Sequence, residues 1–336
     1  NNREFFVASD ATAFISHTSN AVFLEDGTMA ILGIGGPEVF DIQTGKSVEF
    51  KQKALQWSFE QAKKGGFAHF MLKEIHEQPQ AILAAIEQPE ELLGKIVSMA
   101  KGAKKVLLLG CGSSYHASIS GTYFLSSVAN MDSRAILASE FRNFESLPDK
   151  ETLVIAVSQS GETADLIDAI KFAKEKGARV AAIVNVMDST IMRISDCTML
   201  MNAGPEICVL STKSYTSQLA ILLILAYSIA GKGAQAKEII SRASSGIIAV
   251  ISGSEKIRAL ALKIKDSKDI FVIGRGMYFP AALESALKIK EVSYIHAEGF
   301  AGAELKHGTI ALVEEGTPAI IISDDATRKS ILSNAI

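Results

Sequence analysis

The sequence predicts an α/β protein in which one parallel-sheet unit, with helices on both faces, occurs twice behind a short β-rich block. Three observations predict this fold class. Short continuous apolar runs, typical of buried parallel strands, alternate with helical stretches from about residue 67 onward. The strand and loop at residues 105–112 are echoed at residues 269–276, which indicates an internal repeat. Residues 1–50 instead hold short β-like segments separated by turn signals.

The composition is typical of a globular protein and argues against several classes of function. The 336 residues predict about two domains, and 48% hydrophobic with 21% charged residues exclude wholesale disorder. A net charge of −3 argues against a nucleic-acid partner, because no basic field is available to hold a phosphate backbone. Cys111, Cys197 and Cys208 form neither a disulfide framework nor a zinc spacing, so we expect no metal and a reducing cytoplasm.

The longest apolar run, residues 219–230, bears on membrane association. Spanning a bilayer takes about 20 apolar residues, so this run is too short. It begins after a polar segment and ends at Gly231, a common helix stop. We therefore expect a helix buried inside a domain and no membrane partner.

The N-terminal block is expected to be β-structure followed by a linker. Residues 21–24 and 29–32 flank the turn-like residues 25–28, which predicts a hairpin. The polar residues 51–66 predict a linker. The helix that follows is expected to be interrupted at Pro79.

The repeat predicts matching strands in two copies of one unit. Strands are expected at residues 106–109, 153–157 and 180–184 in the first copy, and at residues 269–274 and 320–323 in the second. The internal spacing agrees, because Gly110 to Ser158 spans 48 positions and Gly274 to Ser323 spans 49. The second copy reaches little beyond its second strand and is predicted to be unfinished.

The sharpest motif is Ser158-Gln159-Ser160-Gly161-Glu162-Thr163, between an apolar strand and a helix. Free N–H groups and the positive end of the helix dipole make such a turn an anion site. The hydroxyls of Ser158, Ser160 and Thr163 add donors, and Gly161 lets an anion approach the backbone. The alternative, a plain helix N-cap, remains open.

The loop Gly110-Cys111-Gly112-Ser113-Ser114 ends another strand of the same copy. Ligands bind at the carboxyl ends of parallel strands, so this loop and the Ser158 loop are expected to open on one crevice. It is neither a dinucleotide fingerprint nor a Walker loop. The second copy has Ser323-Asp324-Asp325 at the corresponding place, where carboxylates would repel phosphate. We therefore expect one phosphate site per chain.

Titratable residues cluster late in the sequence. Glu284, Lys288 and Glu291 share one face of a predicted helix, and a solvated salt-bridge stripe is the alternative. His307, next to Lys306 and a turn glycine, can act as a general acid or base near neutral pH. An ordinary surface histidine is equally open as an interpretation.

Together these motifs resemble the glutamine–fructose-6-phosphate aminotransferase family, also called glucosamine-6-phosphate synthases. The resemblance is carried by residues 70–79, 111–115, 138–142, 158–163, 209–213, 283–298 and 304–308. It implies that the duplicated unit is an SIS domain and that the β-rich block, with Ala8-Ser9-Asp10, is the end of a glutaminase domain. The implied division is 1–50 for the glutaminase end, 51–99 for a linker and leading helices, 100–250 for the first SIS domain and 251–336 for a truncated second one.

The resemblance also implies site residues for the reaction of fructose 6-phosphate with glutamine-derived ammonia. Those implied to hold the phosphate are Ser158, Gln159, Ser160 and Thr163, with help from Ser113. Those implied to line the sugar pocket are Cys111, Ser114, Val209 and Ser211. Glu291 matches the base that moves a proton between C1 and C2, with Lys288 and Glu284 as helix partners, and His307 matches the ring-opening histidine, which a neighbouring subunit supplies.

The family reaction implies fructose 6-phosphate and glutamine as substrates, no cofactor, a homodimer or higher homo-oligomer, and glucosamine 6-phosphate as product. The family's catalytic cysteine would precede residue 1 and its imine-forming lysine would follow residue 336. We therefore expect this chain alone not to make glucosamine 6-phosphate from glutamine. Two alternatives are a plain sugar-phosphate isomerase and a sugar-phosphate-binding regulatory module without ammonia transfer.

Overall fold

The computed structural model describes residues 4–8, 13–15, 17–55 and 63–335, which form two compact units. Unit 1 lies within residues 1–73 together with 204–207, and unit 2 comprises residues 74–203 and 208–336. Ser9 and Asp10 of the N-terminal motif lie outside the described residues. The four-part division drawn from the sequence stays a prediction.

Unit 1 is antiparallel β-structure. Its strands are β1 (Asn20–Ala21), β2 (Thr28–Gly33), β3 (Gly36–Asp41) and β4 (Lys53–Ala54). The hairpin joins β2 to β3 through Ile34 and Gly35, so the predicted hairpin around residues 25–28 is wrong. Residues 25–28 form a turn before β2, and β1 pairs instead with β4, within the segment predicted as a linker.

Helix α1 (Phe70–Ala85) continues through Pro79, so the predicted interruption is wrong. Proline lacks the N–H that would bond to the carbonyl four residues earlier. Here the side-chain amide of Gln78 donates to that carbonyl, on Ile75, at 3.2 Å. Ser244 Oγ donates to the Pro79 carbonyl at 3.1 Å, and Ala81, Ile82 and Ala85 after Pro79 are buried. The Gln78 side chain thus replaces the missing backbone bond.

The first part of unit 2 is a five-stranded parallel sheet in the order β6-β5-β7-β8-β9. Its elements and the leading helix are α2 (Glu90–Lys101), β5 (Lys105–Gly110), α3 (Ser113–Ala129), β6 (Arg134–Leu137), β7 (Thr152–Ser158), α4 (Ala164–Glu175), β8 (Arg179–Val184), α5 (Thr190–Ile194) and β9 (Cys197–Leu200). A 3-10 helix, Ala138–Asn143, follows β6.

Apolar cores cover both faces of this sheet. Alternate residues of a strand point to opposite faces. Val106 and Leu108 join a core with α1, α2, α3, α6 (Lys213–Ile229) and α7 (Gly233–Ser252), whereas Leu107 and Leu109 join one with α4. The predicted α/β class with helices on both faces is confirmed.

The second part of unit 2 repeats the arrangement on a smaller scale. Its three parallel strands have the order β11-β10-β12, matching β6-β5-β7 of the first part. The elements are α8 (Ser254–Ile264), β10 (Asp269–Gly274), α9 (Tyr278–Ser293), β11 (His296–Ala301), β12 (Ala319–Ile322) and α10 (Arg328–Ala335), with short 3-10 helices at Glu304–Lys306 and Thr309–Leu312. The predicted duplication is confirmed.

The longest apolar run forms most of α6, whose side chains are largely buried in the first core. This confirms the predicted buried helix. Within residues 4–8, 13–15, 17–55 and 63–335, none of the helices combines the length and apolarity needed to cross a membrane.

Candidate functional site

The Ser158 loop joins the end of β7 to the start of α4. Ser158 is buried; its Oγ accepts the Gly161 N–H at 3.0 Å and lies 3.1 Å from Thr163 Oγ1. Thr163 occupies the N-cap position of α4, yet its side chain makes no capping hydrogen bond. The Thr163 hydroxyl therefore bonds to Ser158 and does not cap α4, and the anion site at this loop stays a prediction.

Neighbouring segments hold this loop in one conformation. Ser160 Oγ accepts the Glu162 N–H at 3.1 Å, and the Glu162 carboxylate accepts the Thr190 N–H at 2.7 Å. The carbonyl of Gln159 accepts the Asn185 N–H at 3.0 Å. A loop fixed from both sides presents its donors without a further ordering cost, which favours tight binding of a small ligand.

The Gly110–Ser114 loop ends the adjacent strand β5, as expected from the sequence. A Cβ on Gly110 would lie 2.7 to 2.9 Å from backbone atoms of Ser114 and Tyr115, so glycine is required for α3 to approach the strand. Burial, and then the charge of Asp165, raise the pKa of the Cys111 thiol. Cys111 is therefore a neutral thiol near pH 7 and not a thiolate nucleophile.

The first turn of α3 is bonded to two other helices. Ser113 Oγ accepts a hydrogen bond from Lys288 Nζ on α9 at 3.1 Å. Ser114 Oγ accepts one from the side-chain amide of Gln218 on α6 at 3.0 Å. The helix α3 thus contacts one helix from each copy of the repeat. Its bond to α9 is made through Ser113 and its bond to α6 through Ser114.

The titratable cluster lies on α9 and faces α3. Lys288 Nζ is 2.6 Å from Glu291 and 3.4 Å from Glu284. Glu284 is only 5% exposed, and its second carboxylate oxygen is 2.8 Å from Nδ1 of His116 on α3. A solvated salt-bridge stripe is therefore wrong for Glu284, whereas Glu291 remains partly open to solvent.

A half-buried tyrosine also belongs to the surroundings of Glu284. Burial, and then the negative charge of Glu284, raise the pKa of Tyr215 on α6. Tyr215 therefore stays protonated at physiological pH. The site combines a neutral phenol, two carboxylates and one ammonium group within unit 2.

The remaining predicted site residues lie on two loops. Ser211 Oγ is 2.6 Å from Ser214 Oγ, and the Val209 side chain is almost fully exposed. His307 is exposed at the end of a 3-10 helix, before Gly308, which has a φ of 128°. Within the described part of the chain, the His307 side chain forms no hydrogen bond or ion pair, so the structure does not join it to Glu291.

The second copy uses its corresponding loop differently. Asp324 Oδ1 accepts both the N–H and the hydroxyl of Thr327, each at 2.7 Å. These bonds lower the pKa of Asp324 and hold a carboxylate at the start of α10. A negative charge there disfavours a second anion, in line with the expectation of one phosphate site.

Three residues of the site were missed from the sequence: His116, Tyr215 and Gln218. Each contacts or faces a residue far away in sequence, so no local spacing reveals it. The one available signal is that His116 follows Ser113 by three positions and so shares its helix face. Among the residues that the structure describes, no group of three or more His, Cys, Asp or Glu side chains could hold a metal ion.

Comparison with known proteins decides the family. The SIS domain matches residues 99–228 and 263–336. The chain belongs to the SIS domain family. The two matched segments correspond to the two parallel sheets, so each copy of the repeat is an SIS unit.

Over nearly its whole length the chain is similar to glutamine–fructose-6-phosphate aminotransferases (isomerizing). It is 44% identical over 329 residues to that of Thermococcus kodakarensis, covering 95% of this chain and 55% of the relative. It is 43% identical over 338 residues to that of Pyrococcus horikoshii, covering 98% and 56%. The chain thus spans about half the length of the curated relatives it matches.

Solved structures agree with this similarity. The C-terminal domain of glucosamine-fructose-6-phosphate aminotransferase from Francisella tularensis has a TM-score of 0.77 and 32% identity, covering 81% of this chain and 82% of that one. Tagatose-6-phosphate ketose/aldose isomerase from Escherichia coli, at a TM-score of 0.68 and 19% identity over 80% and 76% of the two chains, shares the fold. The resemblance inferred from the motifs is confirmed.

Proposed function

We propose that these SIS units bind fructose 6-phosphate and move a proton between its C1 and C2 atoms. The parent reaction would transfer glutamine-derived ammonia to the sugar and give glucosamine 6-phosphate. The observation that carries this proposal is the 3.1 Å bond between Ser113 and Lys288. It joins the strand-end loops of the first SIS unit to the titratable helix α9 of the second SIS unit. The relatives' names supply the substrates.

The Ser158 loop is the proposed phosphate site. Ser158, Ser160 and Thr163 supply hydroxyls at the N-terminus of α4, whose dipole favours an anion. In the proposal Gln159 and Ser113 add contacts, while Cys111, Ser114, Val209 and Ser211 line the sugar pocket. Phosphate anchoring would fix C1 and C2 relative to the α9 residues, which lowers the entropic part of the barrier.

Glu291 is the proposed base. The Lys288 ammonium lies 2.6 Å from its carboxylate, and the partial exposure of the Glu291 side chain leaves it open to a substrate. Glu284 lies 3.4 Å from the same ammonium group. His307, exposed and unconnected to Glu291 within the described residues, fits the proposal that it serves the site of a neighbouring subunit and that the protein is a homodimer or larger homo-oligomer.

Two further parts of the proposal concern the wider protein. The antiparallel strands of unit 1 fit a role as the end of a glutaminase domain. The cysteines are free thiols, which fits a cytoplasmic protein.

Thr163→Val, in the first SIS unit, tests the phosphate site. Thr327→Val, in the second SIS unit, is the matched control. The intact protein is titrated with fructose 6-phosphate by calorimetry. We expect Thr163→Val to weaken binding at least about 10-fold, the loss of a charge-assisted hydrogen bond of about 1.5–3 kcal/mol, and to cost only about 1 kcal/mol of stability through the lost bond to Ser158. Thr327→Val should leave affinity unchanged. Equal affinity of both variants with the wild type would exclude the Ser158 loop as the phosphate site.

Glu291→Gln separates an enzyme from a binding module, and Glu255→Gln, at an exposed position of α8, is its control. Exchange of the C1 proton of fructose 6-phosphate with D₂O is followed by NMR. We expect Glu291→Gln to slow exchange by about 10² to 10⁴, the range for general acid–base catalysis, while affinity changes by less than about threefold. Unchanged exchange, or an equal loss of affinity, would remove Glu291 as the base.

A further inference from the structure

His116 and Glu284 form a buried contact between the two SIS units. His116 lies on α3 of the first unit and Glu284 on α9 of the second, 168 positions apart. The distance from Nδ1 to Oε2 is 2.8 Å, and the two side chains are 16% and 6% exposed. An ionised carboxylate can only accept, so Nδ1 carries the donated proton.

Few groups are available to balance the Glu284 carboxylate. Its Oε1 faces Lys288 Nζ at 3.4 Å, beyond a good hydrogen-bond length, and no described residue hydrogen-bonds to it. Tyr215 of α6 also lies close enough for the Glu284 charge to raise the pKa of its phenol. A buried carboxylate left without a partner is costly, so the short His116 bond is the main local support for its Oε2.

Lys288 divides its ammonium group among several acceptors. It is 2.6 Å from Glu291, 3.1 Å from Ser113 and 3.4 Å from Glu284. If Glu284 lost its partner at Oε2, it would compete more strongly for this ammonium. Lys288 would then shift away from Glu291 and Ser113, the two groups that face the proposed substrate.

We propose that His116 is a positioning residue for proton transfer. By holding Glu284 Oε2, it keeps Lys288 in place beside Glu291. The inference rests on the proposed function, because it assigns His116 a role in that reaction. The proposed phosphate contacts of the Ser158 loop, on β7 and α4, lie outside this chain of bonds, and only the added contact of Ser113 belongs to it, so proton transfer should slow while sugar-phosphate binding is largely retained.

Two amide variants test this geometry in the intact protein. In His116→Asn the side-chain amide nitrogen stands near the place of Nδ1 and can still donate to Glu284. In His116→Gln the amide is one carbon further out, near the place of Nε2. His116→Ala removes the donor entirely. Each variant is measured for C1 proton exchange in D₂O, for the Kd of fructose 6-phosphate and for the melting temperature.

We expect His116→Ala and His116→Gln to lower kcat for exchange by about 10- to 100-fold, since misplacement by about 1 Å can cost about 100-fold. The Kd should change by less than about threefold in both. His116→Asn should restore kcat to within about fivefold of the wild type. If His116→Ala does not fold, the comparison of Asn with Gln decides.

The outcomes separate this inference from the proposed function. Wild-type protein that binds fructose 6-phosphate without exchanging protons overturns both. Wild-type exchange that persists unchanged in His116→Gln, or that His116→Asn fails to restore, overturns only the role of His116. A parallel loss of kcat, affinity and melting temperature assigns His116 a purely structural role and also overturns it.

Discussion

Gly161 in the Ser158 loop is subject to two separate constraints. Its φ of 69° lies in the left-handed region, and a Cβ would lie 2.1 Å from Ser189 Oγ and 2.5 Å from Ser189 Cβ. Ser189 is fully buried, so it cannot move aside easily. Gly231 has a similar φ of 72°, but a Cβ there would meet no atom within 4 Å.

The two glycines therefore predict different costs for the same substitution. Gly231→Ala should destabilise unit 2 by about 1–2 kcal/mol, the cost of left-handed backbone. Gly161→Ala should cost about 1–3 kcal/mol more, because the methyl group overpacks against Ser189, and it should weaken fructose 6-phosphate binding. Chemical denaturation followed by circular dichroism measures both. A Gly161→Ala variant no less stable than Gly231→Ala would show that the loop moves freely.

Single residues also show which parts of the candidate site could be predicted from the sequence. Ser158, Ser160 and Thr163 could be found because they share one short loop between a strand and a helix. His116 and Gln218 could not, because their partners Glu284 and Ser114 are 168 and 104 positions away. Contacts of that range depend on how helices pack, and no local periodicity encodes them.

At the scale of elements, an ion pair within unit 2 joins α1 to α6. Lys213 starts α6, its side chain is 3% exposed, and its Nζ is 2.7 Å from Glu77 on α1. Glu87, just after α1, pairs at 3.7 Å with Lys237, and both side chains are more than half exposed. The two pairs differ mainly in burial.

Glu77→Ala should lower the free energy of unfolding by about 3 kcal/mol, because it leaves the buried Lys213 ammonium without its carboxylate. Glu87→Ala should cost less than about 1 kcal/mol, as exposed ion pairs do. The midpoint of urea unfolding compares the two variants. Similar small shifts would mean that water or another carboxylate reaches Lys213.

The elements differ in how well the sequence predicted them. The parallel strands β5, β7, β8 and β10 were located correctly, because strands buried on both faces are unbroken apolar runs. The hairpin was misplaced because Asp26-Gly27 is a turn signal whether or not paired strands flank it. In α1 the Gln78 side chain donates to the carbonyl that Pro79 leaves without a partner, and no rule for proline in helices anticipates that bond.

At the scale of the whole molecule, the two sheets of unit 2 differ in protection. Strand β7 is buried at every residue and pairs on both sides. Strand β12 ends the three-stranded sheet, pairs only with β10 among the described strands, and has no buried residue. Local opening is easiest where few apolar contacts hold the backbone.

Hydrogen exchange followed by mass spectrometry should reflect this difference. We expect the amides of residues 153–157 to exchange at least about 100-fold more slowly than those of residues 319–322. Strand β10, central in the smaller sheet, is the internal control and should lie between them. Equal protection of β7 and β12 would contradict this expectation and indicate that the two sheets open together.

The two SIS units have also diverged in a complementary way. Aligning Gly110 with Gly274 places Ser120, Phe124 and Ser127 of the first unit opposite Glu284, Lys288 and Glu291 of the second. The first unit has no charged counterpart at these positions, and the second has Asp324 where the first has its hydroxyl-rich loop. Neither unit repeats what the other contributes.

The first turn of α3, which contacts α6 and α9 together, has an evolutionary consequence. A duplicated fold ordinarily contains one redundant copy, whose sequence can change while the other copy keeps the original function. Here neither copy is redundant, because each half has features that the other lacks. A change that damages either half is therefore not compensated by the other, and neither half alone would hold both the hydroxyl-rich loop and the titratable helix.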